Sequence, residues 1–345
     1  MLSKTNFHCL KRLIVIYLPL LFPGFAQGQA PPAQESIFDY LTATEASAIT
    51  LELDLTELIN GKNTNQYFPG SLTAPDGKML KVDVRPRGKF RRRTCDIPPL
   101  KLKFRKKELR ASKLDTLNEI KLVVPCFDNP QGEELLLREY VAYRMFERLS
   151  PFSVRARLVK VAFRDRHVEK VRAPVYCLLV EHEEQVSARL KGQISEVFNV
   201  PNDSLELDQA ALTVMFEYMI GNTDWGIADG RNLYMLRTAG SEKLRLIPYD
   251  FDFSGLVSAP YATPRNDTGL KKVQERCLIA GGIPKDALQR ACNTITGAHD
   301  DLLALCNSPL FPKNTAKSME RYVEDFFVLI REKSIEQLRS RGDIR

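Results

Sequence analysis

At 345 residues, 44% of them hydrophobic and 27% charged, the chain can bury a large core and is too apolar to be disordered throughout. Its formal charge is +7, with 50 Lys and Arg against 43 Asp and Glu, a mild excess that gives no ground for a nucleic-acid partner.

Residues 1–26 read as an export signal. Lys4, Lys11 and Arg12 precede an apolar run at 13–22 that is short for a bilayer span, and Gly24 and Ala26 are the small residues of a cleavage site. Loss of those three cations takes the charge from +7 to about +4. No later apolar run reaches spanning length, so the mature chain is expected to lack a membrane span and to be periplasmic or extracellular. Six cysteines then remain: Cys95, Cys126, Cys177, Cys277, Cys292 and Cys306. An even number permits three disulfides in an exported protein. Cys177 sits in an apolar strand pattern and reads as a buried thiol. A local bridge is expected among Cys277, Cys292 and Cys306.

Residues 27–47 read as a linker and lead-in, 48–183 as a first lobe and 184–345 as a second. Alternation predicts strands at 49–55, 81–84 and 119–124. Leu100, Leu102 and Phe104 share one strand face, with Lys101 and Lys103 on the other. A helix follows at 132–149, with Glu134 and Arg138 paired on its outer side. Glu139 is different: its helical neighbours are Leu135, Leu136, Ala142 and Tyr143, and a carboxylate on an apolar face needs a cation. Strands at 154–163 and 175–180 complete the first lobe. The second opens with a helix capped by Asp208, striped by Leu212, Met215, Phe216 and Met219, and stopped by Gly221. Strands are expected at 233–236 and 244–247, then helices ending in a long one at 314–340, striped by Met319, Val323, Phe326 and Ile330. The expected fold is α+β and two-lobed, an N-terminal antiparallel-sheet lobe and a mostly helical C-terminal lobe, with a ligand cleft at the seam.

The seam carries the chemistry. Asp224 lies in a glycine-bearing turn, Asn232 follows in the same loop, and Asp250-Phe-Asp252 ends the next strand. Phosphoryl transfer from a metal–nucleotide needs such parts: an acid to orient the acceptor hydroxyl, and Asn and Asp ligands for the metal. Asp250 and Asp252 would share a strand face, where like charges repel unless a cation sits between them, so the metal reading is preferred to a solvated turn.

Six stretches, in order, carry a family resemblance: Arg85-Pro-Arg-Gly-Lys, Pro99-Leu-Lys-Leu-Lys-Phe, Leu136-Leu-Arg-Glu-Tyr, Tyr176-Cys-Leu-Leu-Val-Glu, Gly221-Asn-Thr-Asp and Tyr249-Asp-Phe-Asp-Phe-Ser-Gly. Over residues 85–255 the chain resembles the CotH-type atypical protein kinases and, more distantly, HipA-like kinases. The resemblance implies a two-lobed protein-kinase-like fold. It implies that Asp224 orients the attacking hydroxyl, and that Asn232 and Asp250 bind metal with Asp252 as a second ligand or a support. It implies that Lys101 or Lys103 pairs with Glu139 and holds the nucleotide phosphates, Lys101 being preferred. Arg87 and Gly88 would approach a phosphate. No Gly-x-Gly-x-x-Gly loop is present, and Asn222 stands where a His precedes the catalytic Asp of ordinary kinases. The implied activity is an exported, ATP- and Mg- or Mn-dependent phosphotransferase acting on a protein or other hydroxyl acceptor. The alternatives are a non-catalytic binding or envelope-scaffold module, with the basic run Lys89, Arg91, Arg92 and Arg93 meeting a partner, and a metal-dependent phosphoesterase using the same Asp-x-Asp.

Overall fold

The computed structural model describes Met1 and residues 34–339. Met1 apart, the export-signal reading of residues 1–26 lies outside the described residues. In chain order the first elements are α1 (Ile37–Leu41), β1 (Ser47–Leu53), α2 (Leu55–Asn60), β2 (Phe68–Thr73), β3 (Met79–Pro86), α3 (Arg91–Thr94), β4 (Leu100–Phe104) and α4 (Lys106–Ala111). Then come β5 (Glu119–Val123), α5 (Pro130–Leu149), β6 (Ala156–Asp165), β7 (Lys170–Val171) and β8 (Val175–Val180).

These strands do not form the open antiparallel sheet of a kinase N-terminal lobe. They hydrogen-bond in the order β1-β2-β3-β4-β5-β8-β6, and β6 pairs back onto β1. The result is a closed seven-stranded barrel, with β7 appended to β6. The closing seam is parallel, running from Ser47↔Val159 to Leu53↔Asp165, whereas the other barrel pairs are antiparallel. This corrects the two-lobed kinase-like expectation. The cause is physical: alternation reveals a strand's two faces and says nothing of whether the outer strands meet. Closure removes two exposed edges.

The inward residues of the barrel, among them Leu51, Val82, Leu102, Phe104, Leu122, Val161 and Leu179, make one core. Residues of α1, α2 and α4 (Phe38, Leu58 and Leu109) join it. The outward face of β5, β8 and β6 is apolar too. Val123, Leu178, Val180, Ala156 and Leu158 belong to a second core with Leu136, Met145 and Phe146 of α5. A strand buried on both faces reads as a continuous apolar run, as 175–180 does. Asn129 caps α5 by accepting the Gly132 N–H at 3.0 Å, with Pro130 in the first turn.

The remaining elements are α6 (Glu183–Arg189), β9 (Gly192–Ser195), α7 (Leu207–Ile220), β10 (Leu233–Thr238), β11 (Leu244–Pro248), α8 (Lys285–Gly297), α9 (His299–Cys306), α10 (Lys313–Glu332) and α11 (Ile335–Arg339). Helix α7 is buried on every side from Gln209 to Ile220, more than a single stripe. Gly221 ends it at φ +64, where a side chain would also strike the Tyr322 hydroxyl. Strands β10 and β11 form the expected hairpin, and β9, not foreseen, pairs with β10 to widen it. The long terminal helix breaks at Lys333 rather than running on to 340.

One disulfide is present among the described residues, Cys95–Cys126, joining the end of α3 to the segment before α5. Cys177 is a buried free thiol. Cys277, Cys292 and Cys306 are buried and free as well, contrary to the local bridge expected: Cys292 and Cys306 pack as small hydrophobes in the helical core, and Cys277 lies in the irregular segment before α8.

Candidate active site

Three of the sequence-predicted residues meet where the α7–β10 loop faces the segment after β11. The Asp224 N–H donates to Asn222 Oδ1 at 3.0 Å. Asn232 Nδ2 donates to the Asp224 carbonyl at 2.6 Å and to its Oδ2 at 3.2 Å, bonds that do not use Asn232 Oδ1. The Tyr249 N–H donates to the Asn232 carbonyl at 3.0 Å and so ties the two segments together. Asn232 (φ +52) and Asp250 (φ +67) are both left-handed, an uncommon region for residues other than glycine. The Asp250 N–H donates to the Tyr143 hydroxyl of α5 at 3.0 Å, and its carboxylate stays 40% exposed. Burial raises the Asp224 pKa above the usual carboxylate value and the Asp250 charge adds to it, against Arg231, whose guanidinium lies 3.3 Å away, and Asn232.

Asp252 lies elsewhere. It is 5% exposed and its Oδ2 accepts from Arg91 Nε at 2.7 Å and from the Tyr261 hydroxyl at 3.1 Å. Arg91 Nη2 donates to Glu139 at 2.9 Å and stands 3.7 Å from Asp250. The cation demanded by both Glu139 and the Asp-x-Asp is therefore Arg91. One guanidinium faces three carboxylates, and Glu139 is pushed up to about 7, by burial first and then by Asp252 and Asp250, against Arg91.

Neither strand lysine reaches Glu139. Lys103 lies directly across the β4–β5 ladder from Glu119, and Glu119 takes both lysines, Lys101 at 2.6 Å and Lys103 at 3.3 Å. Lys101 Nζ also lies 3.0 Å from His182 Nε2. Nor is the basic run a single solvated face. Arg91 is buried, and Arg92 donates to the carbonyls of Thr64 and Pro86, leaving Lys89 and Arg93 exposed.

The lysine beside the site is Lys121, which the sequence reading did not single out. It is 7% exposed on the outward face of β5, bonded to the Tyr234 hydroxyl and 3.1 Å from Glu183. Its Nζ lies over the rings of Tyr234 and Tyr249, which stack at 4.2 Å. Burial lowers its pKa to about 8, with Arg87 second, against Glu183 and Asp250. The available signal was a lysine inside the apolar run Ile120-Lys-Leu-Val-Val, on the strand just before α5. Arg87, Lys121, Tyr143, Tyr249 and Asp250 line one cavity of about 10 Å³. Gly88 follows Arg87 at φ +79, in the turn that leads to α3. Beside Asp224 a groove of about 1020 Å³ runs between Trp225, Ile227, Arg231, Arg265 and Gly281.

Asp224, Asn232 Oδ1 and Asp250 are hard oxygen donors of the kind Mg²⁺ or Mn²⁺ accepts alongside substrate phosphates and water. Asp252 does not fit that role, since Arg91 already neutralises it. Among the described residues, no group of three or more His, Cys, Asp or Glu side chains is arranged to hold a metal ion. No described helix is long and apolar enough to cross a membrane.

No family model and no curated protein matches the chain. Among solved structures it is similar to the crystal structure of a Helicobacter pylori proinflammatory kinase, CtkA, at 12% identity and a TM-score of 0.37, covering 65% of this chain and 90% of that one. At that TM-score the likeness carries no argument about activity.

Proposed function

We propose that the chain is an exported phosphotransferase that uses ATP with Mg²⁺ or Mn²⁺ and acts on a protein or other hydroxyl acceptor. The observation that carries this reading is the meeting of Asp224, Asn232 and Asp250 at one edge, with Lys121 and Arg87 beside Asp250. Asp224 orients the acceptor hydroxyl and takes its proton as the oxygen bonds to the γ-phosphorus and the bond to the leaving diphosphate breaks. Its raised pKa suits a proton acceptor. Lys121 and Arg87 supply positive charge for the phosphates. Asn232 and Asp250 would hold the metal ion, which when bound neutralises phosphate charge. The leader-like residues 1–26 and the Cys95–Cys126 disulfide support export.

Two observations favour the non-catalytic binding module as a second reading. The space between Lys121 and Asp250 is about 10 Å³, and Arg231 is already paired with Asp224. Calorimetry with Mn–ATP and transfer of labelled γ-phosphate separate the two. The phosphotransferase reading expects binding and transfer by the wild type, with transfer lost in Asp224→Asn and binding weakened in Asp250→Ala. Absence of both from the wild type overturns it. Release of phosphate from an ester without ATP would instead indicate a phosphoesterase.

A further inference from the structure

Helix α7 carries a carboxyl that the proposed chemistry does not use. Glu217 lies within the last turn of the helix and is 0% exposed, and its side-chain oxygens make no well-formed hydrogen bond outside their approach to Asn222. The polar side chain that interacts with it is Asn222, whose Nδ2 is likewise buried and has no other partner. Two other groups of Asn222 are committed. Its N–H donates to the Glu217 carbonyl at 2.9 Å, and its Oδ1 accepts the Asp224 N–H at 3.0 Å. The amide therefore stands between a buried carboxyl and the backbone of Asp224, with one end bonded and the other held against Glu217.

We propose that Glu217 is a positioning residue for Asp224: it holds the Asn222 amide in the one orientation that presents Oδ1 to the Asp224 N–H. The arrangement is geometric, while its consequence for turnover rests on the phosphotransferase reading. Rotation of the amide would present Nδ2 to the Asp224 N–H, donor against donor, and release the turn. An acceptor on the far side adds to that preference, because it faces the Asn222 Nδ2 group only in the observed orientation. Burial raises the Glu217 pKa, the hydrogen bond from Asn222 works against that, and the nearby Asp224 charge adds to the rise. A glutamine side chain offers the same oxygen and leucine offers none.

The test compares Glu217→Gln with Glu217→Leu. Glu217→Gln should keep Asp224 N–H exchange protection and phosphate transfer within about 2-fold of wild type. Glu217→Leu should lose that protection, keep Mn–ATP affinity within about 2-fold, and lose transfer by roughly 10- to 100-fold, as small misplacements of a reacting group do. Should Glu217→Leu fail to fold, Asn222→Ala breaks the same link from the other end and should lose the Asp224 protection. An Asp224 amide still protected in the folded variant overturns the proposal, as does a Glu217→Gln protein that fails like Glu217→Leu. If the wild type transfers no phosphate, the function reading falls, and the exchange measurements still decide the role of Glu217.

Discussion

Asp250 and Asp252 are two residues apart in one motif, and the fold sends them to opposite fates. Asp252 is buried, bonded to Arg91 and Tyr261, and acts with Glu139 as one jaw of an internal ion cluster. Asp250 stands at the edge of that cluster in a left-handed backbone, with its carboxylate open to solvent and its N–H pinned to Tyr143. A shared spacing does not mean a shared function. The cation nearest each carboxylate, and the water it keeps, decide whether it binds the protein together or remains available for chemistry.

Removing Arg91 should break this contrast most severely. Arg91→Ala leaves Glu139 and Asp252 buried without a cation and should cost about 3–5 kcal/mol in urea unfolding. Adding Glu139→Gln and Asp252→Asn should return part of that loss. Next in size is the disulfide that ties the Arg91 helix to the segment before α5. Replacing Cys95 and Cys126 by serine should cost about 2–4 kcal/mol, read as a lower Tm that reductant no longer changes.

Proton linkage should give a smaller effect. Because the folded protein holds the Glu139 proton up to about 7, above the ordinary value of 4.5, stability should fall as pH rises between those values. The fall due to this group should be on the order of 1–3 kcal/mol, seen as a difference in slope between wild type and Glu139→Gln. Equal slopes would remove Glu139 as a titrating member of the cluster. Smallest of all, Asp250→Asn should change stability by no more than about 1 kcal/mol, since its carboxylate is solvated and only 3.7 Å from Arg91 at its closest. A loss as large as that of Arg91→Ala would place Asp250 in the clamp and erase the distinction.

Part of this was legible before any fold was seen. Leu100, Leu102 and Phe104 alternate as the inner face of β4, and the Glu139 environment announced that a cation was needed. The identity of that cation was not legible. Arg91 sits on a four-residue helix with no periodicity, delivered by a turn whose path depends on the barrel beneath it. Lys101 and Lys103 looked equivalent and apt because strand alternation gives a face but no azimuth around a closed barrel. The neighbour across the ladder, Glu119, claims both of them. Lys121 escaped notice for the opposite reason, since a lysine among apolar residues resembles an interrupted core strand. The order Asp224, Asn232, Asp250 survived translation into space because a short hairpin, β10–β11, returns the chain to the place it left.

The parallel seam that closes the barrel has a kinetic consequence. Strand β1 meets β2 through a short connection, but its other neighbour, β6, lies more than a hundred residues downstream. A chain appearing from its N-terminus must wait for four further strands, helix α5 and then β6 itself before that pairing can form. Contacts of such sequence separation slow folding and leave an edge open meanwhile. Refolding should therefore show β1 amide protection arriving late, together with that of β6, and a chain stopped before residue 156 should expose β1 as a sticky strand.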